Sequence, residues 1–252
     1  MAYRCSTCSP DIMQARETII LVSGLLCDDA VWEHQNAVLS RHYDVIIPHL
    51  CEQDSIAAMA EDVLEVAPQL FSIAGHSMGA RVALEVWRQA PERITRLALI
   101  DTGVHPASAD ELPKRQALLD ISAAKGMTAL ADVWLPPMVK AGLLETDTAL
   151  RERLYAMVER MSPAIHRQQI AALISRPDAR PLLTQISCPV LVGVGALDQW
   201  SSPEQHEKMA EAIRHVHYVV FQDSGHMAPM EAPEAVTDAL LEWMRDDRGV
   251  CQ

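Results

Sequence analysis

The chain has 252 residues, a length that predicts one domain of ordinary size with room for an inserted segment. Hydrophobic residues make up 49% of it and charged residues 22%, which is typical of a globular protein and argues against a disordered chain. The formal net charge of -13 disfavours binding to nucleic acid or to an anionic membrane surface, because both carry negative charge.

Six cysteines are scattered along the chain, at positions 5, 8, 27, 51, 188 and 251. The first residues lack the apolar core of a secretory signal, and no apolar run approaches the roughly 20 residues that span a bilayer. We therefore expect a cytoplasmic protein with free thiols. Cys5 and Cys8 have the spacing of a zinc or redox pair, but no second Cys or His pair accompanies them, so we expect neither a metal nor a cofactor.

Short apolar runs alternate with amphipathic stretches over most of the chain. The apolar runs end at Gly, Pro or polar residues and predict strands, whereas apolar residues recurring every three or four positions predict helices. Strands are expected at 18–22, 43–47, 70–74, 97–100, 190–194 and 216–221, and helices at 30–41, 55–66, 77–89, 203–213 and 233–244. This alternation predicts an α/β fold with a mostly parallel, doubly wound sheet covered on both faces by helices.

The interval 105–187 breaks the alternation, because it contains helix-forming stretches and no convincing strand. Helices are expected there at 113–124, 127–134, 148–161 and 163–174. Since both ends of the interval join predicted sheet strands, we interpret it as a helical cap inserted in a core made of residues 1–104 and 188–252. An independent second domain is the alternative.

The sequence Gly-His-Ser-Met-Gly at 75–79 lies between a predicted strand and a predicted helix. In a tight strand-to-helix turn, glycines two residues before and after a serine leave room for neighbouring backbone, and the helix N-terminus favours developing negative charge. The two glycines and the serine of this pattern occur together by chance in about one chain in ten of this length. The alternative is therefore a glycine-rich turn whose serine has no catalytic role. Ser77 is the candidate nucleophile.

A serine nucleophile needs a base to accept its proton and an acid to orient that base. Asp198 follows the predicted strand 190–194, and His226 follows the strand 216–221. Both come at carboxyl ends of strands, the edge where parallel α/β sheets bind their ligands. Asp101 follows the strand 97–100 in the same way and is the alternative acid.

The chain order Ser, Asp, His and the motif around Ser77 make this sequence resemble the α/β-hydrolase family over nearly its whole length. Residues 22–32 resemble the family's His-Gly loop and the Trp-x-x-Gln helix that follows, with Ser23 where histidine is usual. The resemblance implies that the backbone amides of Leu25 and Met78 form an oxyanion hole and that Gly24 lets the loop approach closely. It also implies a sheet of six clear strands, with the family's additional antiparallel pair reduced or absent.

Several side chains are candidates for substrate contact. Arg81, four residues after Ser77, could bind a carboxylate, and a similar arginine follows the serine in the lyases of menaquinone synthesis; pairing with acidic residues of the cap or surface is the alternative. Trp134, Met138 and Met227 are expected in an apolar pocket, although methionine at helical spacing is also ordinary core.

The resemblance implies a serine hydrolase that cleaves an ester, lactone or thioester of a small molecule through an acyl-enzyme. A lyase or carbon–carbon bond hydrolase using the same triad is one alternative, and a small-molecule receptor without activity is another. We expect a monomer or a homodimer with no nucleic-acid or membrane partner.

Overall fold

The computed structural model describes residues 16–246, and six parallel strands form one sheet within them. The strands are Thr18–Val22 (β1), Asp44–Ile46 (β2), Phe71–His76 (β3), Ile94–Ile100 (β4), Val190–Gly195 (β5) and Val216–Phe221 (β6). Their order is β2-β1-β3-β4-β5-β6, and every neighbouring pair is parallel. The predicted α/β fold with a doubly wound sheet is confirmed, and the described sheet is parallel throughout.

The strand order reverses between β1 and β3, since the chain first adds β2 on one side of β1 and then builds outward on the other. In open parallel sheets, ligands bind at such a reversal, beyond the carboxyl ends of the strands. The loop after β1 carries Leu25, and the turn after β3 carries Ser77. The topology therefore brings the two segments of the predicted oxyanion hole to one place.

The helices of the described chain follow the predicted pattern with a few changes. They are Glu33–Leu39 (α1), Ile56–Val66 (α2), Met78–Gln89 (α3), Glu111–Trp134 (α4), Leu143–Thr146 (α5), Thr148–Glu159 (α6), Pro163–Ile174 (α7), Arg180–Leu183 (α8), Pro203–Glu211 (α9), Ala228–Glu231 (α10) and Pro233–Met244 (α11). The predicted boundaries of α7, β6 and α11 match residue for residue. The one-turn helices α5, α8 and α10 are too short for a periodic pattern to indicate.

Two of the predicted helices have a different form in the structure. The stretch 30–41 begins as a 3-10 turn over Asp29–Trp32 before α1 starts. The two helices expected at 113–124 and 127–134 are one helix, α4, with a kink at Gly126, whose φ is 85°. Glycine adopts that left-handed backbone conformation without steric cost, so it bends the helix and does not end it.

The core lies on both faces of the sheet, and the central strands are fully buried. Residues Ile19–Val22 of β1 have no exposed surface, and neither do Leu97–Ile100 of β4. A parallel sheet covered on both faces requires such continuous apolar strands, and burying one large aliphatic side chain contributes about 1.5–3 kcal/mol. The apolar runs that predicted the strands therefore also form the core.

Residues 105–187, here called the helical segment, connect β4 to β5 and contain α4–α8. Its two ends are joined, because the amide of Ala179 donates to the carbonyl of Val104 at 2.9 Å. The buried Arg176 forms two hydrogen bonds with the carboxylate of Glu111, at 2.7 and 2.8 Å. Arg176 therefore joins the beginning and the end of the helical segment to each other. The division of the chain into a core and a cap remains a prediction.

The helical segment also contacts the loop that follows β1. Gln169 on α7 accepts a hydrogen bond from the amide of Leu26 at 2.9 Å and donates to the carbonyl of Leu50 at 3.2 Å. Arg160, after α6, pairs with Asp28 at 2.6 Å. These contacts place the helical segment over the carboxyl edge of the sheet.

Three features of the described chain bear on the remaining expectations. No helix within 16–246 is both long and apolar enough to cross a bilayer. Cys27, Cys51 and Cys188 are free thiols. Within the same range, no three His, Cys, Asp or Glu side chains are grouped so as to hold a metal ion. Cys5 and Cys8, and most of the stretch where an additional antiparallel pair would lie, fall outside the described residues.

Candidate active site

Ser77 occupies the turn between β3 and α3 in a strained conformation. Its φ of 55° and ψ of −115° are rare for a residue with a side chain. The turn is possible because its neighbours are small: a Cβ on Gly79 would lie 2.1 Å from the carbonyl oxygen of Val22. Only glycine at position 79 lets the start of α3 approach β1 this closely. The serine hydroxyl is thereby held at the carboxyl edge of the sheet.

His226 hydrogen bonds to both Ser77 and Asp198. Its Nε2 lies 2.8 Å from the Ser77 Oγ, and its Nδ1 lies 2.8 Å from the Asp198 Oδ2. Because an ionised Asp198 can only accept a hydrogen bond, the proton of the neutral imidazole lies on Nδ1. Nε2 is then free to accept a hydrogen bond from the Ser77 hydroxyl. The structure thus brings Ser77 together with Asp198 and His226, which were predicted from strand ends more than a hundred positions further along the chain.

Asp198 is buried but remains suited to the ionised form. Burial alone raises the pKa of Asp198, but hydrogen bonds from His226 and Ser201 outweigh it, so the pKa lies below its ordinary value. The Asp198 carboxylate also accepts the amides of Trp200 and Ser201, at 2.8 and 3.0 Å. A carboxylate with this many donors is an effective partner for an imidazolium.

Asp101, the alternative acid, has different partners. It is fully buried and accepts the amides of Gly195 and Ala228, at 2.8 and 3.1 Å. Burial and the nearby charge of Asp198 raise the pKa of Asp101 well above its ordinary value. The structure therefore pairs His226 with Asp198, and Asp101 links the end of β5 to the loop that carries His226.

His76 lies beneath the Ser77 turn and is fully buried. Its Nε2 lies 2.7 Å from the carbonyl oxygen of His226, to which it donates. Burial and the nearby His226 lower the pKa of His76 to about 3. A neutral ring thus supports the backbone of His226 from below.

The loop that carries His226 is also held by Glu231, at the end of α10. The Glu231 carboxylate accepts the amides of Gly225 and Met227 at 3.0 Å and the amide of Lys140 at 2.8 Å. In addition, the amide of His226 donates to the carbonyl of Met138 at 2.8 Å. The position of His226 therefore depends on residues 138–140 of the helical segment as well as on the sheet.

Leu25 and Met78, whose amides are the predicted oxyanion hole, line the same cavity as Ser77. Met78 is the first residue of α3, so its amide has no acceptor within the helix. In the described chain, no hydrogen bond occupies the amide of Leu25. Gly24 allows the approach of this loop, since a Cβ there would lie 3.1 Å from the Cβ of Ser77. Ser23, in place of the usual histidine, donates its hydroxyl to the carbonyl of Asp28 at 2.9 Å and stabilises the loop.

A cavity of about 970 Å³ of empty space, partly open to solvent, contains this site. Ser77, His226, Leu25 and Met78 line it together with residues of the helical segment. Of the predicted substrate contacts, Arg81, Trp134 and Met138 line this cavity. Gly24 lines a separate cavity next to Met78.

Met227 does not line the Ser77 cavity. The structure places it in the core with only 1% of its surface exposed, so the expected substrate contact is corrected. The backbone around Met227 turns into α10, and the histidine that precedes it faces the cavity instead.

Several cavity residues were not among the predicted site residues. Ser201 donates its hydroxyl to Asp198 at 2.8 Å, three residues further along the same loop. Leu118, Arg115 and Arg176 line the cavity from α4 and the end of the helical segment. The spacing of Ser201 after Asp198 is typical of a side chain that folds back onto its own loop, and this is the one signal that could have found it.

Comparison with known proteins gives a consistent family. The sequence model of the "Alpha/beta hydrolase family" matches residues 19–239. Two curated relatives come from Acinetobacter baylyi. The (E)-2-((N-methylformamido)methylene)succinate hydrolase is 25% identical over 245 residues, which cover 90% of each chain. The 3-oxoadipate enol-lactonase 2 is 26% identical over 247 residues, which cover 91% of this chain and 89% of the relative.

The solved structures include a thermophilic esterase from Thermogutta terrifontis with malate bound. It is 28% identical to this chain, with a TM-score of 0.85, and the match covers 93% of this chain and 91% of the esterase. The resemblance found in the sequence is confirmed at the level of the family and the fold.

Proposed function

We propose that this chain, which belongs to the alpha/beta hydrolase family, is a serine hydrolase acting on carboxylic esters or related carbonyl compounds. The observation that carries the proposal is the continuous hydrogen-bonded series from the Ser77 Oγ through His226 to Asp198, with both distances at 2.8 Å. The series opens into a cavity beside two backbone amides.

In the proposed reaction, Ser77 attacks the substrate carbonyl while His226 Nε2 accepts the serine proton. The amides of Leu25 and Met78 donate to the oxyanion of the tetrahedral intermediate, each contributing about 2.7–4 kcal/mol. Protonated His226, stabilised by Asp198, returns the proton to the leaving alcohol. Water activated by His226 then attacks the acyl-enzyme and releases the acid and the free serine.

The relatives support this reaction class without defining the substrate. Their names describe a hydrolase of a succinate derivative, an enol-lactonase and an esterase. These names describe different substrates. The shared family thus supports hydrolysis, and the ester specificity is our inference from the site.

The test compares the wild-type protein with Ser77→Ala. We expect the wild type to hydrolyse p-nitrophenyl butyrate and to be labelled covalently by a fluorophosphonate probe. Ser77→Ala is expected to lose labelling and to lose about 10⁴-fold or more in kcat, because no nucleophile remains. Full activity in Ser77→Ala would contradict the proposal.

The same experiment addresses the alternatives. A receptor without activity would not be labelled by the probe, would turn over no ester and would show no burst of p-nitrophenol. In a lyase, the probe would label Ser77, but no acyl-enzyme would accumulate during turnover. Rapid-quench mass spectrometry of the wild type detects an acyl-enzyme as an increase in protein mass.

A further inference from the structure

One end of the Ser77 cavity is unusually basic for so acidic a protein. Three guanidinium groups line it, from Arg81 on α3, Arg115 on α4 and Arg176 at the end of the helical segment. We call these three residues the arginine cluster. Among the carboxylates of the cavity lining, Glu111 is the one that pairs with the cluster, while Asp101 is buried beside Asp198 with a raised pKa. This local excess of positive charge is opposite in sign to the net charge of -13, and it would attract an anionic ligand.

Glu111 pairs with two members of the cluster and leaves the third without a carboxylate. Both Arg115 and Arg176 donate to it, at distances of 2.7–2.9 Å. Arg81 instead donates to the carbonyl of His105 at 3.0 Å, and no described carboxylate lies within ion-pair distance of it. A half-buried guanidinium with a neutral partner is unusual, because buried charges are generally paired.

The electrostatic surroundings of Arg81 agree with this geometry. Burial, followed by the neighbouring positive charge of Arg176, lowers the pKa of Arg81 to about 9. Burial and the same two arginines, Arg81 and Arg176, also lower the pKa of His105. Arg81 remains protonated at neutral pH, and an anion placed beside it would relieve the repulsion within the cluster.

We propose that Arg81 binds a carboxylate of the substrate, so that the enzyme selects esters or lactones that carry a free carboxylate group. This inference rests on the proposed hydrolase function, whose site it completes. The planar guanidinium forms two parallel hydrogen bonds with a carboxylate, which fixes orientation as well as charge.

The position of Arg81 sets the size of such a substrate. Arg81 lies in the first turn of α3, which begins at the residue after Ser77, and both side chains line the same cavity. A carboxylate at Arg81 would thus lie a few bonds from the carbonyl that Ser77 attacks. Leu118 and Leu173 line the same cavity and can contact the short apolar chain between the two groups.

The test uses substrate pairs that differ only in a terminal carboxylate. For the acyl half, mono-p-nitrophenyl glutarate is compared with p-nitrophenyl valerate. For the alcohol half, 4-acetoxybutyrate is compared with butyl acetate in a pH-stat. We expect the wild type to prefer the charged member in one of the pairs, which identifies the half that carries the carboxylate. Preference for the neutral ester in both pairs would overturn the inference.

The variants are Arg81→Gln and Arg81→Lys. In Arg81→Gln, kcat/KM for the preferred charged ester is expected to fall by about 10- to 100-fold, mainly through KM, with a change of less than about threefold for its neutral partner. Arg81→Lys keeps the positive charge but loses the planar guanidinium that forms two parallel hydrogen bonds. Its kcat/KM for the charged ester should lie between those of the wild type and Arg81→Gln. Arg214→Gln, which changes an exposed arginine before β6 at the opposite edge of the sheet, is the matched control. Equal losses for charged and neutral esters in Arg81→Gln would show a merely structural role.

A binding measurement keeps this inference separate from the proposed function. Glutarate binding to the Ser77→Ala protein by titration calorimetry does not depend on turnover. We expect binding that weakens by about 10-fold or more when Arg81→Gln is added, and no comparable binding of neutral glutaramide. Inactivity toward all esters with intact glutarate binding would overturn the hydrolase proposal alone. Active protein that binds glutarate and glutaramide equally would overturn the carboxylate subsite alone.

Discussion

Residues at the carboxyl edge of the sheet adopt backbone conformations that the rest of the described chain avoids. In residues 16–246, the non-glycine residues with positive φ are Leu26, Ser77, Asp101 and Asp223. Each follows a strand of the sheet and lies in a loop of the site. Such conformations cost about 1–3 kcal/mol each and persist where the surrounding structure enforces them. The strain is thus concentrated in loops at the carboxyl edge of the sheet, and two of these residues, Ser77 and Asp101, line the cavity.

At the same scale, Asp198→Asn tests which acid orients His226. An amide at position 198 presents a donor to Nδ1, which favours the tautomer whose Nε2 carries the proton and cannot accept one from Ser77. We expect kcat to fall by about 10⁴-fold with KM little changed. Steady-state kinetics with p-nitrophenyl butyrate provides the measurement.

Asp101→Asn is the matched comparison, because it makes the same substitution after a neighbouring strand. Since Asp101 accepts only backbone amides, we expect a smaller loss of kcat, about 10-fold or less. A large loss of kcat in Asp101→Asn with a small loss in Asp198→Asn would contradict the assignment of Asp198 as the acid.

At the scale of elements, the site is assembled from loops that follow five different strands. The loop after β6 carries His226, the proposed general base, and it is held by α10 and by residues 138–140 of the helical segment. Glu231 supplies most of these contacts through one buried carboxylate. Burial raises the pKa of Glu231 despite the amides that it accepts. The position of His226 is thus coupled to the docking of the helical segment.

Glu231→Gln is expected to loosen this loop. The new amide group turns a donor toward backbone N–H groups, so the free energy of unfolding should fall by about 1–3 kcal/mol in urea titrations. Displacement of His226 from Ser77 should lower kcat by about 10- to 100-fold. The exposed Glu234→Gln on α11 is the control, and equal effects in both variants would rule out a positioning role for Glu231.

At the scale of the whole molecule, three fully or nearly fully buried histidines link folding to pH. Burial lowers the pKa of His76 to about 3 and of His166 and His206 to about 4, from a usual value near 6.5. The unfolded chain therefore binds more protons than the folded one between these values. Stability contributed by the neutral rings is fully present above pH 6.5 and is lost as the pH falls toward 4.

His166 gives the clearest test, because it lies in α7 of the helical segment. Its Nδ1 hydrogen bonds to Ser122 at 3.0 Å, whereas its buried Nε2 has no partner in the described chain. In His166→Gln, the slope of unfolding free energy against pH between 6.5 and 4 should decrease by up to about 1.4 kcal/mol per pH unit. Urea unfolding at several pH values measures it. His42→Gln, at an exposed position, should leave the slope unchanged, and an unchanged slope in His166→Gln would refute the linkage.

The amino-acid sequence alone determined the strands, the turn at Ser77 and the chain order of the candidate triad. These features depend on local physics: apolar runs must be buried, and a glycine-flanked serine between strand and helix permits one tight turn. The resemblance then extended the prediction to the amides of Leu25 and Met78. Short helices such as α5 and the continuation of α4 through Gly126 were missed, since a single turn has no periodicity and glycine usually indicates an end.

Only the tertiary structure decided which side chains meet. Asp101 and Asp198 both follow strands, but their loops turn differently, so that one accepts backbone amides and the other accepts His226. Met227 adjoins the histidine and yet points into the core, while Arg115 and Arg176 reach the cavity from distant parts of the helical segment. Periodicity fixes the face of an element but not the direction of a side chain in a loop, and the contacts of a loop depend on how separate elements pack.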